Sequence, residues 1–281
     1  VKILKRITFC YQSGWYRDRK NGKYRKKINR DIDMKKIYSI LFFFCLTAVV
    51  WGQELLNQAN QSYSREDYKK AAELYEKALQ DEGISSDLYY NLGNAYYKDK
   101  QYAKAILNYE RALLLSPGNE DARFNLNMAN SHITDKIEPV GSFFLTVWIH
   151  SLINTLSSNS WAILGIISFL LFIVGIYLYF FTRNVLLRKI GFFAGLLLLL
   201  VSIFSNSFAS EQKDKITERN EAIVFAPTIT IKSSPAESGT DLFVLHEGTK
   251  VKLLDKVGDW SEILLADGNR GWIPTNQIEI I

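Results

Sequence analysis

Residues 161–208 read WAILGIISFLLFIVGIYLYFFTRNVLLRKIGFFAGLLLLLVSIFSNSF. Trp161–Phe181 carries no charged residue. At a rise of about 1.5 Å per residue it makes a helix of about 31 Å, the thickness of a bilayer's hydrocarbon core. Ile190–Phe208 is also uncharged. Two such runs in succession predict a two-helix transmembrane hairpin, with spans at 161–181 and 190–208. The alternative is a helical hairpin buried in a soluble core, where charge-free runs of this length are rare. The loop at 182–189 holds Arg183, Arg188 and Lys189 and no acid. A short basic loop stays on the cytoplasmic side, which places both flanks outside the cytoplasm. Neither span contains Asp, Glu, Lys, Arg or His, so the hairpin offers no path for ions. Gly191 and Gly195 form a GxxxG, weak evidence of helix packing when alone.

The net charge of +5 does not indicate a nucleic-acid partner. Residues 1–33 hold eleven Lys/Arg against three Asp, and 34–52 add Lys35 and Lys36, which leaves 53–281 at −5. The first Met is Met34. From there a basic start, an apolar run over Ile37–Trp51 and small residues near Gly52 predict a signal peptide at 34–52. Residues 1–33 are expected to be untranslated or a disordered basic arm. The only cysteines are Cys10 and Cys45, so no disulfide or thiolate metal site is expected beyond residue 52.

A 34-residue period follows. Tyr68, Ala71, Tyr75 and Ala78 recur as Tyr102, Ala105, Tyr109 and Ala112, and Asn60 recurs as Asn94. The full unit is Ser86–Asn119, SDLYYNLGNAYYKDKQYAKAILNYERALLLSPGN. It resembles the tetratricopeptide repeat at Leu92, Gly93, Tyr96, Ala105, Tyr109, Ala112 and Pro117. Small residues at 93 and 105 let two helices approach, and Pro117 stops the second. Gly52–Ser85 is a degenerate first unit, with Ala59 at the Gly place. A third begins EDARFNLNMANSHITDKI, with Ala122, Leu126, Ala129 and Ile133 at helical spacing and no clear second helix. The expected α-solenoid spans 53–137. Its concave face should carry Asn60, Tyr63, Tyr90, Asn94, Tyr97, Phe124 and Asn125, as a protein-binding groove or an ordinary helix surface. Leu56, Asp121 and Asn125 stand where carboxylate-clamping relatives carry basic residues, which argues against such a clamp.

Residues 138–160 form a neck too polar to span. Phe143, Phe144, Val147, Trp148, Leu152 and Ile153 share one helical face, suited to the membrane interface or to packing on the repeats. Residues 209–220 read as a polar linker. After it, alternation of period two over 221–281, broken by turn signals such as Asp267-Gly268, predicts a small all-β barrel of about five strands. Thr230–Pro235, Gly258-Asp259-Trp260 and Gly271-Trp272-Ile273 resemble a bacterial SH3-like domain. Trp260 and Trp272 are either packing residues or a ligand surface for peptide or cell wall.

No Walker loop, HExxH, GxSxG or cysteine nucleophile lies beyond residue 52, and His132, His150 and His246 fall in separate segments. A non-enzymatic chain without cofactor or metal is expected. The order of parts, with DARFNLNMANSHITDKIEP and SSPAESGTDLFVLHEGTKV, resembles the BatE family of Bacteroides aerotolerance (Bat) operons. That resemblance implies an inner-membrane protein with both soluble domains periplasmic. Its partners would be Bat proteins with von Willebrand factor A domains and a MoxR-type ATPase, and its role would be an envelope scaffold in aerotolerance or stress resistance. The alternative is a peptidoglycan sensor or anchor acting through the SH3-like domain.

Overall fold

A computed structural model of the chain describes residues 15–17, 24–26, 54–81, 83–141 and 143–281. There are two compact units, Val1–Glu54 and Leu55–Ile281. In the first, β1 (Trp15–Arg17) and β2 (Tyr24–Lys26) pair antiparallel with Tyr16 opposite Arg25. The remainder of 1–33, and the expected signal peptide at 34–52, lie outside the described residues.

The helical region comprises α1 (residues 54–64), α2 (Tyr68–Asp81), α3 (Ser86–Lys98), α4 (Tyr102–Leu115) and α5 (Glu120–Asn130). Side-chain caps start the first helix of each later unit. Ser85 accepts from the Leu88 N–H at 3.1 Å, and Asn119 accepts from the Ala122 N–H at 2.9 Å. The residues that recur with the 34-residue period are buried: Ala71, Tyr75 and Ala78, then Ala105, Tyr109 and Ala112. At Gly93 the two helices of the unit touch, since a Cβ there would lie 2.7 Å from the Tyr109 ring. Ala59 fills the same place in the first unit and is fully buried. The third unit stops after α5. Ile133, expected on that helix, lies beyond its end at Asn130 and packs toward the β domain.

In the neck, α6 (Phe144–Ile153) precedes α7 (Ser158–Phe181) and α8 (Val185–Glu218). Two boundaries differ from the sequence reading. The connection expected at 182–189 is helical from Val185, because Asn184 caps the new helix by accepting from the Leu186 N–H at 2.9 Å. The stretch read as a linker, 209–220, is helical through Glu218. Its Glu, Gln and Lys residues are good helix formers, and Ala209 and Gln212 are buried against the neck. Arg219, in a left-handed conformation at φ 43°, ends the helix. The two long helices pack along a seam of small residues. A Cβ on Gly191 would meet the Gly175 carbonyl at 2.8 Å, and Ser202 donates to the Gly165 carbonyl at 2.9 Å. Both are long and apolar enough to cross a membrane, and only 17% of the apolar window in each is buried. A soluble-core hairpin would be mostly covered; this one is not wrapped by the described chain.

The C-terminal domain is a seven-stranded antiparallel sheet in the order β5-β4-β8-β7-β6-β3-β9. Its strands are β3 (Glu221–Val224), β4 (Thr228–Lys232), β5 (Asp241–His246), β6 (Lys250–Val257), β7 (Trp260–Leu264), β8 (Arg270–Pro274) and β9 (Ile278–Ile280). The expectation of about five strands falls short because Pro227 divides one apolar run into β3 and β4. Pro274 and the 3-10 turn Thr275–Gln277 divide another into β8 and β9. Val224, Ile231, Val251, Ile263 and Ile273 form the interior. Ile223 and Ile281 face the other way and join the buried cluster of the repeats.

Candidate functional site

The expected groove residues divide into two groups. Asn60 and Asn94 each tie the two helices of their own unit, and Asn94 also links to the next. Asn60 accepts from the Tyr75 hydroxyl at 2.6 Å, and Asn94 accepts from the Tyr109 hydroxyl at 2.7 Å and from Asn125 Nδ2 at 2.8 Å. Burial pushes the Tyr75 phenol up to about 12, with the neighbouring Tyr63 adding to the effect, and burial likewise raises Tyr109. Both phenols therefore stay protonated and donate. Asn125 also reaches the Tyr90 hydroxyl at 3.3 Å. The equivalence of Asn60 and Asn94 under the repeat period is thus a repeated internal bond.

The aromatic residues form the second group, and Asn60 remains exposed beside them. Tyr63 is half-buried edge-on to Tyr68, and Tyr97 packs edge-on to Tyr102 with its hydroxyl 3.3 Å from His132 Nε2. Phe124 is 65% exposed and Met128, one turn further along α5, is 43% exposed. Met128 was not among the residues picked from sequence, although its spacing of four from Phe124 places both on one helix face. The face is therefore apolar and aromatic at its α5 end, suited to burying a partner's side chains.

On the β domain, Trp260 lies opposite Pro274 and Trp272 opposite Glu262. Cross-strand partners share a face, and Ser261 and Ile273 between them point inward. Trp260, Glu262, Trp272 and Pro274 therefore stand together on the outer face, with both indoles half-buried. Lys232, opposite Trp272, adds a cation paired to Asp241. Stacking surface and polar groups are both present. Neither indole is a core residue.

The repeats and the β domain meet through a dense polar joint. Asp135 accepts from the His246 N–H at 2.7 Å and the Thr249 hydroxyl at 2.7 Å, and lies 2.8 Å from His246 Nδ1. Lys250 Nζ bonds Glu110 at 2.9 Å and Glu221 at 2.8 Å. Arg111 bonds Glu279 at 3.0 Å and the Ile280 carbonyl at 2.7 Å. His246 stands alone in the sequence but is paired here across 111 residues. Among the described residues no group of three His, Cys, Asp or Glu could hold a metal ion.

The family model for the tetratricopeptide repeat matches residues 86–119, and the family model for the bacterial SH3 domain matches residues 227–278. No curated protein matches the chain. The chain therefore joins a tetratricopeptide repeat region to a C-terminal bacterial SH3 domain. Both are typically non-catalytic interaction modules: the first suggests binding of proteins, the second binding at the cell wall.

Proposed function

We propose that this chain is a membrane-tethered interaction scaffold outside the cytoplasm, with α7 and α8 as its spans and the repeat groove as its protein-binding site. The observation that carries this reading is the α5 end of the groove, where Phe124 and Met128 stay exposed beside the aromatic ladder of Tyr63, Tyr90 and Tyr97. The short basic connection at Arg183, Arg188 and Lys189 supports a cytoplasmic position for that turn, with both flanking domains periplasmic and the chain in the inner membrane. The resemblance to the BatE family supports an envelope complex linked to aerotolerance or stress resistance. Its partners would be Bat proteins with von Willebrand factor A domains and a MoxR-type ATPase. A photo-crosslinking residue at 124 in native membranes should capture a discrete envelope protein, and capture should vanish when Tyr90 and Tyr97 are replaced by Ala. Absence of any adduct at 124, with adducts from a probe elsewhere on the same head, would refute the groove assignment.

A second reading rests on the β face bearing Trp260 and Trp272. Two half-buried indoles beside Glu262 suit stacking on a saccharide with a hydrogen bond to its hydroxyls. In this reading the chain anchors to or senses peptidoglycan. Co-sedimentation of the purified chain with peptidoglycan, lost in Trp260→Ala/Trp272→Ala, is the expected result.

A further inference from the structure

Among the described residues outside the two long helices, the neck helix α6 carries the longest run of exposed large hydrophobic side chains. Phe144 is 73% exposed and Trp148 is 64% exposed, and Val147 and Leu152 are also open. At 100° per residue these four fall on one side of the helix. Thr146, His150 and Ile153 fall on the other, so Ile153 does not share the apolar face expected of it from the sequence. That second side touches the protein at its end: Ile153 is buried, and His150, itself exposed, has Nδ1 3.5 Å from Glu211 Oε1 on α8. The helix is also held at its end. The Ile153 carbonyl accepts from Trp161 Nε1 at 3.0 Å and from Gln212 Nε2 at 3.0 Å, and Gln212 Nε2 lies 3.1 Å from Asn154 Oδ1. Ser158 Oγ donates to the Ala209 carbonyl at 2.8 Å, which closes the elbow between α6 and α7. The clamp sits where the apolar stretch of α7 begins at Trp161 and that of α8 ends near Phe208, which pack edge-on with ring centroids 5.1 Å apart.

We propose that α6 is a lipid-facing foot. Its Phe144–Trp148 side lies in the headgroup–acyl boundary of the leaflet next to the repeats, and the Gln212 clamp on Ile153 fixes the angle between that foot and the spans. The occupant follows from continuity. The apolar side of α6 leads within four residues into the uncovered apolar surface of α7, so a bilayer that covers one reaches the other. Trp and Phe on a short helix with a polar inner side suit that depth. A foot at a fixed angle would hold the groove and the β face at set heights above the membrane. This inference rests on the reading of α7 and α8 as spans.

The test uses the full chain with Cys10 and Cys45 replaced by Ser, reconstituted in phosphatidylethanolamine/phosphatidylglycerol vesicles. Single nitroxide labels are placed through Phe144→Cys, Trp148→Cys, His150→Cys and, in mid-span, Leu170→Cys. Collision with oxygen and with a water-soluble nickel complex is measured by power saturation. The labels at 144 and 148 should be rich in oxygen and poor in nickel, at a shallower depth than 170, while 150, exposed on the polar side, is open to nickel. Nickel access at 148 with a lipid signature at 170 overturns the foot and leaves the spans standing. Shielding from both reagents at 148 means that protein, including a second copy, covers the face, and overturns it equally. Nickel access at 170 overturns the membrane reading itself. Gln212→Ala should broaden the depth distribution at 148, and an unchanged distribution overturns the clamp.

Discussion

Gly248 offers a direct measure of whether the repeats and the β domain form one body. Its φ is +89°, and a Cβ there would lie 2.5 Å from Ile133 Cγ2 and 3.3 Å from Ile106 Cδ1. Gly248→Ala therefore carries two costs. The left-handed backbone costs about 1–2 kcal/mol for an L side chain. The collision with Ile133, which belongs to the repeat side, adds about 1–3 kcal/mol of overpacking. Gly268 isolates the first cost, since its φ is +91° and the nearest atom to a Cβ is Val140 Cγ2 at an ordinary 3.9 Å. The difference between the two Ala variants is thus the docking contribution. Ile133→Ala removes the colliding methyl, so the double variant Gly248→Ala/Ile133→Ala should be more stable than the sum of the singles by about 1–3 kcal/mol. Urea unfolding of micelle-held protein, followed by the fluorescence of Trp260 and Trp272, reads this as a midpoint shift. With a slope of about 1–3 kcal/mol per molar, a coupling of 2 kcal/mol moves the midpoint by about 1 M. Additivity within about 0.5 kcal/mol would refute the seating of Gly248 on Ile133.

Three further outcomes follow from the polar contacts. Burial alone would raise the Asp135 carboxyl, but the Thr249 hydroxyl and the His246 backbone and ring outweigh it and hold the group below its usual 3.8. A depressed carboxyl contributes stability that is full above the unfolded value and lost as pH falls through the folded one. Thermal melts should therefore drop on acidification below pH 3.8, and Asp135→Asn should flatten that limb. Burial would lower the Lys250 ammonium, but Glu110 and Glu221 raise it above its usual 10.5, so its contribution is full below that pH and is lost only as pH rises through the folded value. Lys250→Met leaves two facing carboxylates; with the side chain a third exposed, a loss of about 1–2 kcal/mol is expected at neutral pH, partly recovered by Glu110→Gln. Tyr109→Phe removes the donor to Asn94 and should lower stability by about 1 kcal/mol in circular-dichroism melts, while Tyr102→Phe should leave them unchanged.

The repeat unit 86–119 could be read from sequence because each of its marks has a local cause at fixed spacing: a Gly where helices touch, a Pro after the second helix, aromatics one repeat apart. The hairpin was equally readable, since absence of charge over twenty residues needs no tertiary information. What the sequence concealed was pairing across distance. His246 meets Asp135, Lys250 meets Glu110, and Arg111 meets Glu279, each separated by more than 100 residues, and no periodicity records such pairs. The polar stretch 209–220 reads as a linker because composition shows that a segment is solvated, not whether it continues a helix. Asn60 and Asn94 fall on the concave face as first-helix residues, and periodicity does not reveal that their side chains also bond to Tyr75 and Tyr109. Met128 stands at the Asn60/Asn94 place of the third unit, 34 residues after Asn94, and its change from Asn to an apolar residue is the signal that marks it.

The missing second helix of the third repeat explains why the modules are joined so closely. In a stacked array each second helix is covered by the next, and the last needs a cap. Here α4 is the last. On its outward side Ile106 is buried beneath Gly248, Glu110 meets Lys250, and Arg111 grips β9. Ile223, Phe225 and Ile281 of the β domain complete the same apolar cluster. The β domain therefore occupies the place of the absent helix, and α8 feeds directly into β3 through the single left-handed turn at Arg219. A chain that reads as two heads on a tether packs its repeats and β domain against each other, with α6 and the neck leading into the repeats and α8 into the sheet. The groove residues Phe124 and Met128 and the indoles of Trp260 and Trp272 are then carried on two domains that pack on each other. A partner held in the groove and a ligand held on the β face would be kept in register with each other, a constraint that a flexible linker at 209–220 would not have imposed.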